Sequence, residues 1–246
     1  MTYRLLGGRK RDAITIKDPY ELVIMRQAGQ RLAEVISLVN AAVKVGVTTV
    51  ELDELAESEI CRRQSKPAFK GYAVGDNVFP STLCTSINEQ VVHGIPNETP
   101  LKDGDIISID VGLIYAGYHA DSAFTAVAGT VSPEVKKFLQ VTRQSLYEGI
   151  AAAIPGNKIG HIGQAVQKHV EKHKYGIIRE YVGHGIGRRL HEPPSIPNYG
   201  KPKPFQATIE VGMCFAIEPM TSMGRHHTKV LNDNWTVITA DRSLAG

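Results

Sequence analysis

Hydrophobic residues recur at helical spacing in four stretches of the chain, and most of these stretches follow a helix-start signal. Asp18-Pro19 precedes the first stretch. In this stretch an apolar side chain recurs every three or four residues as far as about Gly46. Thr48, with a glutamate three residues later, has the capping-box pattern that begins a second helix. Ser132-Pro133 opens a third, and the fourth spans roughly 158–173. The pattern therefore predicts two pairs of helices.

The segments after each helix pair have the pattern of β-strands. Residues 65–100 are rich in Pro, Gly, Asn and Ser with short apolar runs, which predicts strands and ordered loops. Two apolar runs within 105–129 flank Ala116-Gly117 and predict a β-hairpin. A strand-like run at 177–185 follows the second helix pair. Since the order of elements occurs twice without a linker, we predict one internally duplicated α+β domain.

Composition and charge exclude several classes of protein. The 246 residues are 42% hydrophobic and 22% charged, which indicates a folded chain with one large core. The net charge of +3 does not indicate specific DNA binding, although Arg9-Lys10-Arg11 and Lys201/Lys203 are candidate contacts for an acidic partner such as ribosomal RNA. Three scattered cysteines, no long apolar run and no secretory signal favour a cytoplasmic protein outside membranes.

Asp110 and Asp121 lie in the two arms of the predicted hairpin. Strand alternation turns Asp110 away from its apolar neighbours in a strand that otherwise has the composition of a core. The predicted register places Asp121 directly opposite, with the two Cβ atoms ~5 Å apart. Like charges in that position destabilise a sheet unless a cation lies between them. The alternative is a surface hairpin with two solvated aspartates, but the flanking apolar residues favour the cation site.

Further polar side chains stand where core residues are expected. Glycines flank His184, where they let the backbone approach a ligand closely and leave room around a metal, and Glu218 lies in the apolar run CFAIEPM. His93 ends the apolar run of VVHGIP, and His191 follows the glycine-rich segment. A single histidine of this kind is more often a hydrogen-bonded core or loop residue. Several buried carboxylates, however, need partners in a domain whose net stability is only ~5–15 kcal/mol.

Divalent metal ions would neutralise this set of side chains. Oxygen-rich ligation with one imidazole suits Mn, Fe or Co at least as well as Zn. Two ions ~3.5–4 Å apart, bridged by an aspartate, would hold and deprotonate a water for attack on a carbonyl. The residues alone thus predict metal-assisted hydrolysis.

Five motifs in this order and spacing resemble those of type I methionine aminopeptidases, which are dinuclear metallopeptidases. The motifs are VVHGIP, IDVGLIYAGYHADSAFT, GHGIGRRLHEPP, FAIEPM and NWTVITADRSL. The resemblance runs from about residue 16 to the C-terminus. It implies the pita-bread (creatinase/aminopeptidase) fold, in which a central antiparallel sheet with pseudo-two-fold symmetry is covered by helices. It divides the chain into an arm, 1–15, and one catalytic domain, 16–246.

The resemblance also implies a role for each site residue. The metal ligands would be Asp110, Asp121, His184 and Glu218, with Asp121 shared by two divalent ions of Co, Mn, Fe, Zn or Ni. Glu218 would also relay the proton of the bridging water. His93 and His191 would bind the substrate amide and stabilise the oxyanion. The methionine pocket would consist of Phe69, Tyr72, Phe79, Cys84 and Trp235, which without the resemblance would be plain core residues.

One departure from the family pattern concerns the end of the chain. In the family, the strand that contains the tryptophan is followed by a last bridging glutamate, whereas this sequence reaches Gly246 before it. We therefore expect the last C-terminal strands and this ligand to be lacking. Loss of a residue that only supports a metal ligand already lowers the affinity for the metal. Loss of a ligand should lower it at least as much, so we expect the second ion to bind weakly.

The function implied is removal of N-terminal methionine from nascent proteins when the second residue is small, through attack of a metal-bound hydroxide on the scissile carbonyl. The substrates would be nascent-chain N-termini, with the ribosome as a candidate partner, and the enzyme would be a monomer. One alternative is a proline-specific aminopeptidase or prolidase, which usually has an extra N-terminal domain. The other is a catalytically impaired pita-bread binding protein, which the lacking glutamate favours and the four intact ligands oppose.

Overall fold

The computed structural model describes residues 13–246 and confirms the four predicted helices. Their bounds are α1 Pro19–Ala42, α2 Thr49–Arg62, α3 Pro133–Ala152 and α4 Ile159–Lys172. The first helix ends before the predicted Gly46 because the backbone becomes extended at Val43. No helix within 13–246 is both long and apolar enough to cross a membrane. The basic cluster Arg9-Lys10-Arg11 lies outside the described residues.

The predicted capping residues define where three helices begin. Asp18 Oδ1 accepts a hydrogen bond from Glu21 N at 2.8 Å, and Asp18 N donates to Glu21 Oε2 at 3.0 Å. Thr48 and Glu51 form the same reciprocal pair at the start of α2. Ser132 Oγ accepts from the third residue of α3 at 3.3 Å. Each cap satisfies backbone N–H groups that the first helical turn leaves unpaired.

All strand pairs of the described chain are antiparallel, as expected, but they are divided among several small sheets. The strands are β1 Lys66–Pro67, β2 Ala73–Val74, β3 Asn77–Val78, β4 Leu83–Ile87, β5 Gln90–Val92, β6 Ile106–Tyr115, β7 Tyr118–Val127, β8 Gly176–Ile177, β9 Gly183–Gly185, β10 Glu192–Ile196, β11 Phe215–Ala216, β12 Thr221–Ser222, β13 Thr228–Val230 and β14 Val237–Thr239. Strands β1 and β4 pair with one edge of β6, and β7 pairs with the other. Strand β9 lies between β10 and β11, β14 lies between β13 and β5, β8 pairs with β12, and β2 pairs with β3. The run predicted as a strand at 177–185 is extended at its two ends only, as parts of β8 and β9.

The hairpin of β6 and β7 has the predicted turn but not the predicted register. Ala116-Gly117 forms a two-residue turn with positive φ at both positions, as a type I′ turn requires. Because only these two residues lie in the turn, Asp110 pairs with Ala123 and Asp121 pairs with Gly112. The direct pairing of the two aspartates was therefore wrong by two residues. A shift of two keeps both side chains on the same face, as diagonal neighbours.

The largest core lies between the first helix pair and the hairpin sheet. Its buried residues include Leu32, Val35, Val39, Leu52, Ile60, Leu83, Ile107, Ile109, Val111 and Leu113. Each such side chain contributes about 1.5–3 kcal/mol when fully buried. The second helix pair covers a smaller cluster that contains Ile159, Ile162, Ile196 and Ile209. The helices thus support the strands that carry the predicted metal ligands.

The two halves repeat local details as well as element order. Gly46 and Gly156 each have φ near 90°, at 89° and 92°, and each lies two residues before the N-cap of the second helix of its half. The N-cap residues form equivalent isolated bridges, Thr48 with Pro100 and Lys158 with Thr208. These correspondences support the predicted internal duplication.

The duplication extends to the metal-site strands. Gly104 and Gly212 have φ of 91° and 94°, and each precedes an acidic residue by six positions. These acidic residues are Asp110 in the first half and Glu218 in the second. The same turn-and-strand segment therefore delivers one carboxylate from each half.

Candidate metal centre

Three of the four predicted ligands converge in one cluster. Ligand atoms of Asp121, His184 and Glu218 all lie within 4.8 Å of one another. Asp121 belongs to β7, His184 is the middle residue of β9, and Glu218 follows β11. Asp110 lies against Asp121 without joining the group of three. The cluster therefore joins both halves of the duplicated domain.

Strand pairing explains how Glu218 reaches His184. Ala216 of β11 is the direct partner of His184 in β9, so Glu218 is two residues further along the same face. Diagonal neighbours in an antiparallel pair lie within reach of long side chains. The aspartates of the hairpin have the same diagonal relation.

The glycines that flank His184 have a different role from the one expected. A Cβ atom on Gly183 would lie 2.3 Å from the carbonyl oxygen of Ala216, and one on Gly185 would lie 2.2 Å from that of Pro193. The glycines therefore make room for the neighbouring backbone segments, not for a ligand. This close approach of three strands fixes the position of the histidine.

The imidazole of His184 is oriented by its own backbone neighbourhood. Its Nδ1 lies 2.8 Å from the carbonyl oxygen of Gly185, to which an N–H at that position donates. Its Nε2 consequently faces the carboxylates, 3.1 Å from Glu218 Oε1 and 3.6 Å from Asp121 Oδ2. Metal-binding histidines are commonly held in this way, with the second ring nitrogen bound to a carbonyl or carboxylate.

The protonation equilibria of the cluster are strongly perturbed. Burial and the nearby charge of Asp121 raise the pKa of Asp110 well above its ordinary value. Burial also raises the pKa of Glu218. For His184, burial lowers the pKa, but the carboxylates of Asp121 and Glu218 outweigh it and raise the value to about 10. Without a cation, the cluster therefore binds protons more tightly than the same side chains would in water.

The side chains fit a divalent ion. Glu218 Oε1 is buried and accepts no hydrogen bond from the part of the chain that the structure describes, although His184 Nε2 is close. A buried carboxylate oxygen in that state is costly unless a cation binds it. Two carboxylates and one imidazole whose Nε2 faces them are a donor set typical of such ions.

Of the two other predicted histidines, His191 lies against the ligand cluster and His93 lies among aromatic side chains. The ring centroids of His191 and His184 are 4.3 Å apart, and His93 lies edge-on to Tyr181 and Trp235. Burial lowers the pKa of His93 to about 3. Burial, followed by the charge of His184, lowers the pKa of His191 to about 4. Both rings are therefore neutral near pH 7, with one N–H each.

All five predicted pocket residues belong to one hydrophobic cluster beside these histidines. Phe69, Phe79, Cys84 and Trp235 are buried in it, and Tyr72 packs against it. The cluster also contains Ala68, Ile186 and Leu190. Burial raises the pKa of Cys84 well above its ordinary value, so the thiol stays neutral. A separate cavity of about 320 Å³ lies between α1 and β7, with Asp121 on its wall.

A buried ion pair next to His191 was not found from the sequence. Lys17 Nζ lies 2.8 Å from Glu192 Oε2, with the two side chains 5% and 3% exposed. Thr15 Oγ1 and Arg189 N also donate to Glu192, at 2.5 and 3.1 Å. The pair ties the segment before α1 to the loop that carries His191. Its only signal in the sequence is a glutamate directly after a candidate histidine.

Comparisons with known proteins agree with the geometry. The profile of metallopeptidase family M24 matches residues 23–239. The chain belongs to metallopeptidase family M24. This M24 chain is 47% identical to methionine aminopeptidase 1 of Bacillus subtilis (strain 168) over 228 residues, which are 93% of this chain and 90% of that protein. Its structure matches methionine aminopeptidase from Rickettsia prowazekii with a TM-score of 0.91 and 41% identity, over 95% of this chain and 93% of the other.

The prolidases of the family are more distant from this M24 chain. Prolidase from Pyrococcus furiosus matches with a TM-score of 0.68 and 19% identity, over 94% of this chain and 60% of that chain. At that identity the likeness concerns the fold alone. The predicted pita-bread fold and the resemblance to methionine aminopeptidases are therefore confirmed, and a proline-specific enzyme is not favoured.

Proposed function

We propose that this M24 metallopeptidase removes the N-terminal methionine from newly made proteins whose second residue is small. The observation that carries the proposal is the convergence of Asp121, His184 and Glu218 within 4.8 Å, beside a cluster of aromatic side chains. Relatives that are 41–47% identical over more than nine-tenths of this chain are named methionine aminopeptidases.

The residues that would hold two divalent ions are Asp110, Asp121, His184 and Glu218, with Asp121 shared between the ions. The buried Oε1 of Glu218 and the Nε2 of His184 that faces it support this assignment. In such sites, divalent ions supply polarisation of a carbonyl and acidification of water. Because carboxylates and imidazole suit Co, Mn, Fe, Zn and Ni, the donor set leaves the choice among these ions open.

Binding and proton transfer are the work of the chain's own residues. The thioether of methionine would contact the aromatic rings of Phe79 and Trp235, whose centroids are 5.2 Å apart in an edge-to-face arrangement. His93 and His191, both neutral, would each donate an N–H to the scissile amide and to the oxyanion that develops on it. Glu218 would take the proton of the attacking water and pass it to the leaving amine.

A release assay on short peptides tests the proposal. We expect rapid release of methionine from Met-Ala-Ser, slow release from Met-Leu-Ser and no cleavage of Ala-Pro peptides, with metal content measured on the same sample. Faster cleavage of Ala-Pro would instead support a proline-specific enzyme. If no peptide is cleaved by metal-loaded protein, a binding role would replace the catalytic one.

We further infer that the catalytic domain, 16–246, works as a cytoplasmic monomer near the ribosome. Exposed cations on one loop support a contact with an acidic partner: Lys201 and Lys203 are both exposed, and Lys203 lies over the ring of Phe205, which is 82% exposed. Cosedimentation with ribosomes should fall in a Lys201→Glu/Lys203→Glu variant. Unchanged cosedimentation would remove this loop from the proposal, and a dimer in sedimentation velocity would remove the monomer.

A further inference from the structure

Tyr72 makes a contact that its predicted place in the methionine pocket does not explain. Its hydroxyl oxygen lies 3.0 Å from Nδ1 of His191, within hydrogen-bond distance. The two rings meet edge to face, with centroids 5.5 Å apart and an interplanar angle of 74°. One side chain therefore contacts both the apolar cluster and a histidine beside the metal ligands.

The backbone around Tyr72 holds the phenol in place. Tyr72 N donates to the carbonyl oxygen of Phe69 at 2.8 Å, and Phe79 N donates to the carbonyl oxygen of Tyr72 at 2.8 Å. The second bond closes the short hairpin of β2 and β3. Because its neighbours on both sides belong to the apolar cluster, the ring enters the site with little freedom.

His191 is held from two other directions. Its ring lies against that of His184, with centroids 4.3 Å apart. Glu192, the next residue, is anchored by the buried ion pair with Lys17. These contacts fix where the imidazole lies, but neither engages Nδ1. The phenol of Tyr72, by contrast, lies beside Nδ1 and so distinguishes the two ring nitrogens.

We infer that Tyr72 is a positioning residue for His191. Its O–H donates to Nδ1, and because a neutral imidazole carries only one N–H, that hydrogen is then kept on Nε2. The Nε2–H is the donor that the oxyanion of the scissile amide requires. The inference rests on the proposed role of His191, and it assigns to Tyr72 a task separate from binding the methionine side chain.

Removal of one oxygen atom separates the two tasks. Tyr72→Phe keeps the ring in the apolar cluster and removes the hydroxyl that lies beside Nδ1 of His191, so we expect kcat to fall about 10-fold or more while KM changes less than about twofold. If Tyr72 serves only as a pocket wall, both constants will stay at their wild-type values, which would overturn the inference. Tyr147→Phe is the matched control, since this tyrosine is exposed on α3, far along the chain from the site.

The tautomer of His191 gives a readout that does not depend on activity. Nitrogen-15 NMR of the imidazole should show the Nε2–H form in the wild-type protein and a mixture of tautomers, or the Nδ1–H form, in Tyr72→Phe. A wild-type Nδ1–H form would contradict the inference. Thermal melting of the variant should stay close to wild type, because the packed ring is retained.

A His191→Ala variant distinguishes a failure of the inference about Tyr72 from a failure of the proposed function. If His191→Ala retains full activity, the role proposed for His191 fails, whatever Tyr72 does. If His191→Ala is impaired and Tyr72→Phe is not, the inference about Tyr72 fails alone. When both roles hold, Tyr72→Phe adds no further loss of kcat in the His191→Ala background, because the two changes remove one shared interaction.

Discussion

Asp110 and Glu218 occupy equivalent places in the two halves of the domain, yet their surroundings differ. Asp110 lies within β6, a strand of 10 residues that pairs along its full length with β7. Glu218 follows β11, a strand of 2 residues. Asn198, which is fully buried, donates to the carbonyl oxygen of Glu218 at 2.6 Å. A strand pairing of ten residues fixes the position of Asp110 in the first half, whereas a two-residue strand and a contact from one side chain to the backbone fix that of Glu218 in the second.

The difference shows how a duplicated scaffold produces an asymmetric site. The first half supplies two carboxylates from one hairpin, and the second supplies Glu218 together with the imidazole of His184 from separate strands. The second half is also the one tied to the segment before α1, through Lys17 and Glu192. We therefore expect its geometry to depend on more individual residues than that of the first half.

The largest expected effect comes from removing one ligand charge in each half. Asp121→Asn and Glu218→Gln should each lower kcat/KM by at least 100-fold, because loss of a group that merely supports a ligand already costs about 10–100-fold. Peptide release and metal content by mass spectrometry measure both consequences. Asp76→Asn is the control, since this aspartate is exposed at the β2–β3 turn. Full activity in either ligand variant would exclude that half from the site.

Breaking the buried ion pair between Lys17 and Glu192 should destabilise the second half of the domain. Lys17→Met leaves Glu192 buried without its cation, which we expect to cost about 3–5 kcal/mol in the free energy of unfolding. Urea denaturation measures this change. A Lys17→Met/Glu192→Gln variant should recover part of it, and an additive loss would argue against a direct interaction.

The same pair predicts a dependence of stability on pH. Burial alone would raise the pKa of Glu192, but hydrogen bonds from Lys17, Thr15 and the backbone of Arg189 outweigh it and lower the value to about 2. A carboxyl whose folded pKa is depressed contributes stability above its unfolded pKa, and the contribution is lost as the pH falls. Stability should therefore decline between about pH 4.5 and pH 2. Lys17→Met should weaken this part of the acid slope, and an unchanged slope would contradict the assignment.

Equivalent core positions in the second helix of each half should respond alike. Leu52 of α2 and Ile162 of α4 are both fully buried, so Leu52→Ala and Ile162→Ala should each cost about 2–5 kcal/mol. Leu38→Ala, at a partly exposed position of α1, should cost much less. Urea unfolding followed by circular dichroism compares the three. A large loss in one half and none in the other would mean that the halves do not share one cooperative core.

The smallest expected effect concerns the repeated glycines. Gly46 and Gly156 have nearly equal positive φ and open space around the position of a Cβ atom. Gly46→Ala and Gly156→Ala should therefore each cost about 1–2 kcal/mol from backbone strain alone. Thermal melting of the matched pair measures the difference between them. Clearly unequal losses would show that the turns are not equivalent.

Local signals were enough to predict the helices from the sequence. Asp18 with Glu21, and Thr48 with Glu51, form caps within one helical turn, so their effect is contained in a few neighbouring residues. The hairpin turn was likewise correct. Its predicted register was wrong. The prediction paired Asp110 with Asp121, whereas the two-residue turn at Ala116-Gly117 pairs each aspartate with a residue two positions from the other.

Contacts between distant parts of the chain could not be predicted from the pattern. Lys17 meets Glu192, and Tyr72 meets His191, only because separate elements pack together. Similarly, the glycines beside His184 gave no indication that neighbouring strands would fill the space that they leave. The ligand types were predictable because buried charge needs neutralisation, whereas their supports depend on the completed fold.

Anomalous diffraction from crystals of the protein grown with Zn²⁺ tests the central claim most directly. We predict a peak bound by Asp121, His184 and Glu218, at about 2.0–2.2 Å from their oxygen and nitrogen atoms. Such a peak would show that carboxylates from both halves share a cation. Fully ordered side chains at these three residues with the ion bound elsewhere, or with no ion at saturating Zn²⁺, would contradict the account.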